Sequence, residues 1–194
     1  MKQYSRTLIT LLLILLAGCT SKPSNFYILM PLHGDYKQRQ SPTIGLGPIT
    51  IAGYLDRPQI VTRLGQQAIK INEYHRWGEE LSSNIKHVLQ QNLQQLTPTT
   101  RVHFYPWPLD TTIDYQITVN ITRFDTDSQG NSVLLCHWKI MDKDGKKILQ
   151  SHTSRYTNQT DPESFAAITA SMNSNLTKLS RRMAAKIKTL YAGK

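Results

Sequence analysis

Two stretches in which apolar and polar residues alternate constrain the fold of this chain more than any other feature. The apolar members of the first stretch are Tyr115, Ile117, Val119 and Ile121. After a turn-like segment at 127–131, the second stretch has its apolar residues at Leu134, Cys136, Trp138 and Ile140. Because successive side chains of a strand point to opposite faces, each set lies on one face. The pattern predicts an antiparallel hairpin with one buried face, which places the Cys136 thiol in the core.

Helical periodicity appears in two further segments, one on each side of this hairpin. The first predicts a helix over about 79–96, ended by Pro98. The second predicts a long C-terminal helix with Asp161 as its N-cap and Pro162 as its first residue. Its apolar residues recur at helical spacing as far as Leu190. Two amphipathic helices are therefore available to cover the buried face of a sheet.

Shorter apolar or β-branched runs predict the remaining strands, at 26–29, 44–51, the second half of 53–63, 67–71, 102–105 and 147–156. Gly47 and Pro48 indicate an edge or a bulge within one of them. The order along the chain is strands, helix, strands, helix. We expect an α+β fold: a two-layer sandwich with a mixed, mainly antiparallel sheet and two main helices on one face.

The N-terminal segment indicates export. A basic start precedes an apolar run over 8–16, and two small residues follow it, as in a secretory signal peptide. The run is shorter than the ~20 apolar residues of a transmembrane helix. Because Leu16-Ala17-Gly18-Cys19 resembles the bacterial lipobox, we expect Cys19 to be acylated and to become the mature N-terminus. The alternative is an ordinary signal peptide with a chance cysteine.

These features predict a signal peptide at 1–18, a lipidated tether at 19–25 and a single domain at 26–194. Thr20 follows the cysteine, whereas an aspartate there is the usual inner-membrane retention signal in enterobacterial lipoproteins. By this resemblance we expect an outer-membrane location, with the domain facing the periplasm. The net charge of +10 would suit nucleic acid or anionic lipid, and a periplasmic domain tethered to a membrane argues against nucleic acid.

No constellation of chemically active side chains emerges. The six histidines lack the spacing of a metal site, and Asp142-Lys143-Asp144-Gly145 lacks the further acidic ligands of a calcium loop. Cys136 and His137 are neighbours on a strand, so their side chains point to opposite faces and cannot act together. We therefore expect no catalytic residue, no metal and no cofactor, and interpret the chain as a non-enzyme.

Two segments resemble a known family. Tyr54-Leu55-Asp56-Arg57-Pro58-Gln59-Ile60-Val61-Thr62-Arg63 and Glu73-Tyr74-His75-Arg76-Trp77-Gly78-Glu79-Glu80-Leu81 are similar to the PqiC-type ABC-transport auxiliary lipoproteins of the paraquat-inducible Pqi system. Ala52-Gly53 departs from the family pattern, where a proline-containing turn is common. The departure concerns only the local turn geometry.

The resemblance implies a function. Such a lipoprotein is a non-catalytic accessory component of an MCE-type intermembrane lipid transport system, which anchors or caps the periplasmic MCE tube and supports membrane integrity. The implied partners are an MCE-domain protein resembling PqiB and the outer-membrane lipid bilayer. The alternative is a periplasmic lipoprotein adaptor of another secretion or envelope-assembly complex.

We expect the same segments to form a contact surface, because aromatic, apolar and arginine side chains together are typical of interface centres. The predicted interface residues are Tyr54, Leu55, Asp56, Arg57, Pro58, Gln59, Ile60, Arg63, Tyr74, Arg76 and Trp77. Their partner would be the MCE tube or another copy of the chain, and head-to-tail contacts between copies would build a ring. In the alternative interpretation, Trp77 packs under the first helix and Tyr54-Leu55 caps the sheet.

Overall fold

The computed structural model describes residues 22–34, 42–97, 99 and 101–193. The predicted signal peptide, Cys19 and the first residues of the tether lie outside this part of the chain. Within it the strands are β1 Asn25–Tyr27, β2 Ile44–Ile51, β3 Gln59–Arg63, β4 Ile69–Trp77, β5 Val102–Phe104, β6 Tyr115–Asp127, β7 Asn131–Met141 and β8 Ile148–Gln159. The helices are α1 Leu81–Leu96 and α2 Phe165–Ala192, and a 3-10 turn spans Gly53–Leu55.

Strand β6 is the centre of one mixed, eight-stranded sheet in the described residues. On one side β7 pairs with it antiparallel, and β8 continues the meander. On the other side β2 runs parallel to its first half, and β3 runs parallel to its last two residues. Strand β5 extends the sheet beyond β2, while β4 and β1 extend it beyond β3. The predicted α+β fold is confirmed, with long antiparallel ladders and shorter parallel ones.

The alternating stretches form the buried face that the sequence predicts. Cys136 and Ile140 on β7 are fully buried, whereas His137 and Lys139 between them are exposed. Burial raises the pKa of the Cys136 thiol to about 12. The apolar stripes of α1 and α2 join the same core. The helices therefore form the second layer over this face.

Irregular pairing on both sides of β6 shapes the sheet. Gly47 and Pro48 stand opposite one residue of β6, so β2 carries the predicted bulge. Gly47 has a φ of +125°, and an added Cβ would lie 2.9 Å from the Cβ of Tyr105. Both facts favour glycine at this position. A second register shift lies between Ile121 and Arg123 of β6 itself.

Two element boundaries differ from the prediction. Strand β4 continues to Trp77, so α1 begins at Leu81. The prediction of Asp161 as N-cap of the last helix is wrong: α2 begins at Phe165, and the hydroxyl of Ser164 accepts a hydrogen bond from the Ala167 amide at 3.3 Å. Asp161 instead accepts from the Glu163 amide at 2.9 Å, forming a separate turn before the helix. Aspartate favours such local turns as strongly as it favours helix caps.

Candidate interaction surface

The predicted interface is built on the turn that leads from β2 to β3. The Ala52 amide donates to the Ile121 carbonyl of β6 at 2.9 Å, and the Leu55 amide donates back to the Ala52 carbonyl at 2.9 Å. These bonds close the 3-10 turn between two neighbours of β6: strand β2, which pairs with its first half, and strand β3, which pairs with its last two residues. Leu55 is buried in the core, while Tyr54 is only partly buried.

Under this turn lies a fully buried carboxylate, Asp125 of β6. Its Oδ2 accepts hydrogen bonds from the Tyr54 hydroxyl at 2.7 Å and from Nε of Arg63 at 2.9 Å. Its Oδ1 accepts from Nε of Arg123 at 2.8 Å. Because Phe124 packs in the core, Asp125 and Arg123 lie on the face of the sheet away from the helices. We call these four residues, Tyr54, Arg63, Arg123 and Asp125, the Asp125 cluster.

The electrostatics of the Asp125 cluster hold the turn in place. Two guanidinium groups compensate the charge of the one buried carboxylate. Without them, an unpaired carboxylate at this position would strongly destabilise the fold. Burial and the hydrogen bond to Asp125 raise the pKa of Tyr54 to about 12, so its hydroxyl remains a donor at physiological pH. The guanidinium of Arg63 also lies over the Tyr54 ring, 5.4 Å from its centroid. The cluster thus fixes the start of the turn, β3 and β6 relative to one another.

An open groove lies beside the turn. It has a volume of about 360 Å³ and is lined by Asp56, Arg57, Pro58, Trp77, Glu79 and Glu80. Nε of Arg57 donates to the Tyr54 carbonyl at 2.9 Å, which holds the guanidinium at the wall of the groove. Three acidic residues and one arginine line the groove, so its lining is acidic on a chain whose net charge is +10. Oε2 of Glu79 lies 3.8 Å from Nδ1 of His87, and Oε2 of Glu80 accepts a hydrogen bond from the Ser83 hydroxyl at 3.1 Å.

The remaining polar residues of the predicted interface form a separate surface network. Oε2 of Glu73 accepts from Nε2 of the Gln59 side chain at 3.1 Å and lies 3.6 Å from Nη2 of Arg76. Tyr74 is 44% exposed, and Nζ of Lys22 lies 5.6 Å from its ring centroid. The segments that were chosen from the sequence therefore meet in space across β3 and β4.

Three residues of the predicted interface lie in the core and not at the surface. Leu55, Ile60 and Trp77 are at most 5% exposed and belong to the helix-covered core. The Trp77 amide donates to the Pro58 carbonyl at 2.7 Å, which ties the end of β4 to the turn. Trp77 is therefore a core residue that also lines the groove. The exposed or half-exposed members remain a predicted interface, namely Tyr54, Asp56, Arg57, Pro58, Gln59, Arg63, Tyr74 and Arg76.

Sequence reasoning missed Asp125 and Arg123, which organise the surface. Asp125 interrupts an apolar pattern, and only an i, i+2 pair of opposite charges marks it in the sequence. Together with Asp127 and Gln129, the two arginines also line a second open cleft of about 490 Å³. In that cleft the guanidinium of Arg63 donates to the Gln66 carbonyl at 3.2 Å.

The described residues contain neither a cluster of metal-binding side chains nor a helix suited to span a membrane. No three His, Cys, Asp or Glu side chains there gather closely enough to hold a metal ion. In the same part of the chain, no helix combines the length and the apolar character needed to cross a bilayer.

The fold and this surface define a class: an α+β domain with a braced turn and an acidic groove. The sequence comparison narrows the class. Residues 30–184 match the ABC-type transport auxiliary lipoprotein component family, and the chain belongs to this family. Membership agrees with the resemblance of its Tyr54–Arg63 and Glu73–Leu81 segments.

Solved structures share the fold at low sequence identity. An uncharacterized protein superposes with a TM-score of 0.71 at 14% identity, covering 86% of this chain and 99% of that one. A protein from Xanthomonas campestris, of family DUF330, gives a TM-score of 0.69 at 14% identity, covering 83% and 93%. No curated protein matches the sequence. The similarity to solved structures shows the fold alone.

Proposed function

We propose that this chain is an outer-membrane lipoprotein that serves as a non-catalytic accessory component of an MCE-type intermembrane lipid transport system. Three observations support the proposal: the lipobox around Cys19, the transport auxiliary family, and the PqiC-like segments. The lipoprotein anchors or caps the periplasmic end of an MCE tube formed by a protein resembling PqiB.

The physical need for such a cap comes from the cargo. Each methylene of an acyl chain costs about 0.8 kcal/mol when it is exposed to water. A gap between a periplasmic tube and its membrane would expose the whole tail of a passing lipid. A tethered domain that binds the tube end closes this gap through binding alone and requires no catalytic group.

The observation that carries the proposal is membership of the transport auxiliary family, and the contact surface that we propose is the braced turn beside the acidic groove. The Asp125 cluster fixes the turn from below, while Asp56 and Arg57 remain accessible above it. A contact surface that is already ordered loses little entropy when a partner binds. A partner that fits this surface would present cationic groups to the carboxylates of the groove and hydrogen-bond acceptors to Arg57.

The test is capture of the MCE partner by two surface variants, each with a matched control. We expect Arg57→Ala and Asp56→Lys each to weaken capture at least about tenfold, as residues at the centre of an interface do. The controls Arg155→Ala and Asp144→Lys change exposed residues of the same types on or next to β7 and β8, and retain capture. Light scattering of the same variants reports whether the surface also joins copies of the chain in a ring.

Two outcomes would contradict this assignment. If Arg57→Ala and Asp56→Lys both melt normally and both capture the MCE partner as the controls do, the groove is not the contact site. If the wild-type chain captures no MCE protein but another envelope complex, the alternative of a periplasmic adaptor for secretion or envelope assembly takes its place. Trp77→Ala is unsuitable as a probe, because Trp77 is buried and its loss unsettles the core.

Anchoring is tested separately. Cys19→Ala is expected to abolish incorporation of a fatty-acid analogue and to leave either a soluble protein or one held in the membrane by its uncleaved signal peptide. Label that persists on the variant would refute acylation at Cys19. Fractionation of wild-type cells into inner and outer membranes checks the proposed location.

A further inference from the structure

A row of exposed apolar side chains follows the start of the described chain. Phe26, Ile28 and Met30 are 67%, 52% and 48% exposed. The residues between them point inward, and Leu29 is only 1% exposed. Because an extended chain places alternate side chains on one side, the three exposed residues form a single row at the β1 edge of the sheet.

Asparagine side chains of both helices hold the backbone of this row in place. The amide and carbonyl of Leu29 bond to the Asn84 side chain of α1 at 2.7 and 3.1 Å. The Met30 amide donates to Oδ1 of Asn173 of α2 at 3.0 Å. Downstream, the Leu32 amide donates to Oδ1 of Asn92 at 2.7 Å. The backbone is thus satisfied against the helix layer, and the apolar side chains are directed away from it.

The position of the row is limited by the chain that precedes it. Phe26 is seven residue steps from Cys19, and an extended chain of that length spans at most about 25 Å. Lys22, three residues from Cys19, already lies against Tyr74 of β4. An acylated Cys19 therefore keeps the β1 edge of the sheet close to the bilayer surface.

Charge at this edge favours a phospholipid surface. Lys22 and Lys70 are exposed, and both act on His75, whose pKa is lowered first by its burial and then by these two cations. The acidic residues near this edge have partners: Glu73 is paired with Arg76, Oε2 of Glu79 lies 3.8 Å from Nδ1 of His87, and Oε2 of Glu80 accepts from the Ser83 hydroxyl. Cations beside apolar and aromatic side chains are the combination that binds membrane interfaces.

We propose that Phe26, Ile28 and Met30 dock the domain onto the phospholipid bilayer that holds its anchor. The proposal rests on the acylation of Cys19 proposed above. Lipid anchoring then fixes the orientation of the domain as well as its location, because a second contact with the bilayer accompanies the acylated N-terminus. The row shares no residue with the groove, which adjoins it where Trp77 pairs with Tyr27 of β1.

The test places a fluorescent reporter at the row and at a matched control site. Ile28→Cys and Ile148→Cys replace isoleucines that are 52% and 51% exposed, on opposite edges of the sheet. Each variant is labelled with NBD; the acylated Cys19 has no free thiol, and the Cys136 thiol is buried. The lipidated full chain is then placed in vesicles of phosphatidylethanolamine and phosphatidylglycerol, with and without doxyl-labelled lipid.

We expect a blue shift of NBD emission and its loss to doxyl-lipid quenching at position 28, and neither effect at position 148. Phe26→Cys gives an independent reading, and melting temperatures confirm that each variant folds.

Mass spectrometry of the Cys19 peptide separates the possible failures. Acylated protein whose reporter at 28 is no more quenched than at 148 overturns the docking inference and leaves the anchor standing. A reporter at 28 that is shielded without lipid quenching shows that a second copy covers the row, which also overturns it. If Cys19 carries no acyl chain, the anchoring proposal fails, and the docking inference fails with it.

Discussion

The two halves of strand β6 are stabilised in different ways. In the first half, Ile117 and Ile121 are fully buried in the helix-covered core, between the parallel strand β2 and the antiparallel strand β7. In the second half, beyond the register shift after Ile121, the buried residue of the outer face is Asp125, beside strand β3. The first half therefore relies on apolar contact, whereas the second half, in which Phe124 also packs in the core, adds directed hydrogen bonds to a charge.

The difference teaches where this chain tolerates change. Apolar contact is spread over many neighbours, so losing one methyl group removes a small part of it. The charge network depends on a few groups, and losing one leaves the others buried without partners. The surface proposed to bind a partner stands on the half that tolerates change poorly.

The largest expected effect comes from Asp125→Ala. It leaves Arg63 and Arg123 without their carboxylate and should lower the free energy of unfolding by about 3–5 kcal/mol. The urea midpoint measures this loss, and the exposed Asp144→Ala serves as the control, with a change within about 0.5 kcal/mol. Arg123→Ala, which removes one of two cations, provides a milder reading if Asp125→Ala does not fold. A midpoint for Asp125→Ala equal to that of the control would show that the network does not stabilise this half.

Ile117→Val sharpens the comparison from the apolar half. Removing one methylene from this fully buried side chain should cost about 1 kcal/mol, with no change in the dependence of unfolding on urea. Capture of the proposed partner should be unchanged, since Ile117 does not touch the turn or groove. A loss as large as that of Asp125→Ala would remove the distinction between the two halves.

The sequence predicted the apolar half well, because its signal is local. Alternation over 115–121 and 134–140 is set by the strand period alone, and the structure confirms the burial of both sets. The start of the last helix was mispredicted, since Asp161 and Ser164 are both competent caps and the local pattern does not decide between them. Ser164 caps the helix here.

The polar half could not be predicted, because its partners are distant in sequence. Asp125 meets Arg63 and Tyr54 across separations of 62 and 71 residues. The bulge after Ile121 also changes which face each later residue occupies, which a continued alternation would assign wrongly. The interface segments were chosen by resemblance, and that resemblance did not separate the buried Trp77 from the accessible Arg57.

The smallest expected effect concerns pH and Asp127, the last residue of the polar half. Burial opposes the charge of this carboxylate, but hydrogen bonds from the backbone and side chain of Asn131 and from the Gln129 amide outweigh it, so the pKa of Asp127 is lowered. A lowered pKa means that the native state favours the charged form. The resulting stabilisation is present above the unfolded-state pKa of about 3.9 and is lost as the pH falls through the lower folded-state pKa.

Because Asp127 is partly exposed, we expect it to contribute less than about 1 kcal/mol to the free energy of unfolding. Urea midpoints between about pH 5 and pH 2.5 measure it, with Asp127→Asn as the control, whose amide still accepts hydrogen bonds and does not titrate. Wild-type and Asp127→Asn midpoints that fall in parallel below about pH 4 would show that this turn makes no acid-sensitive contribution.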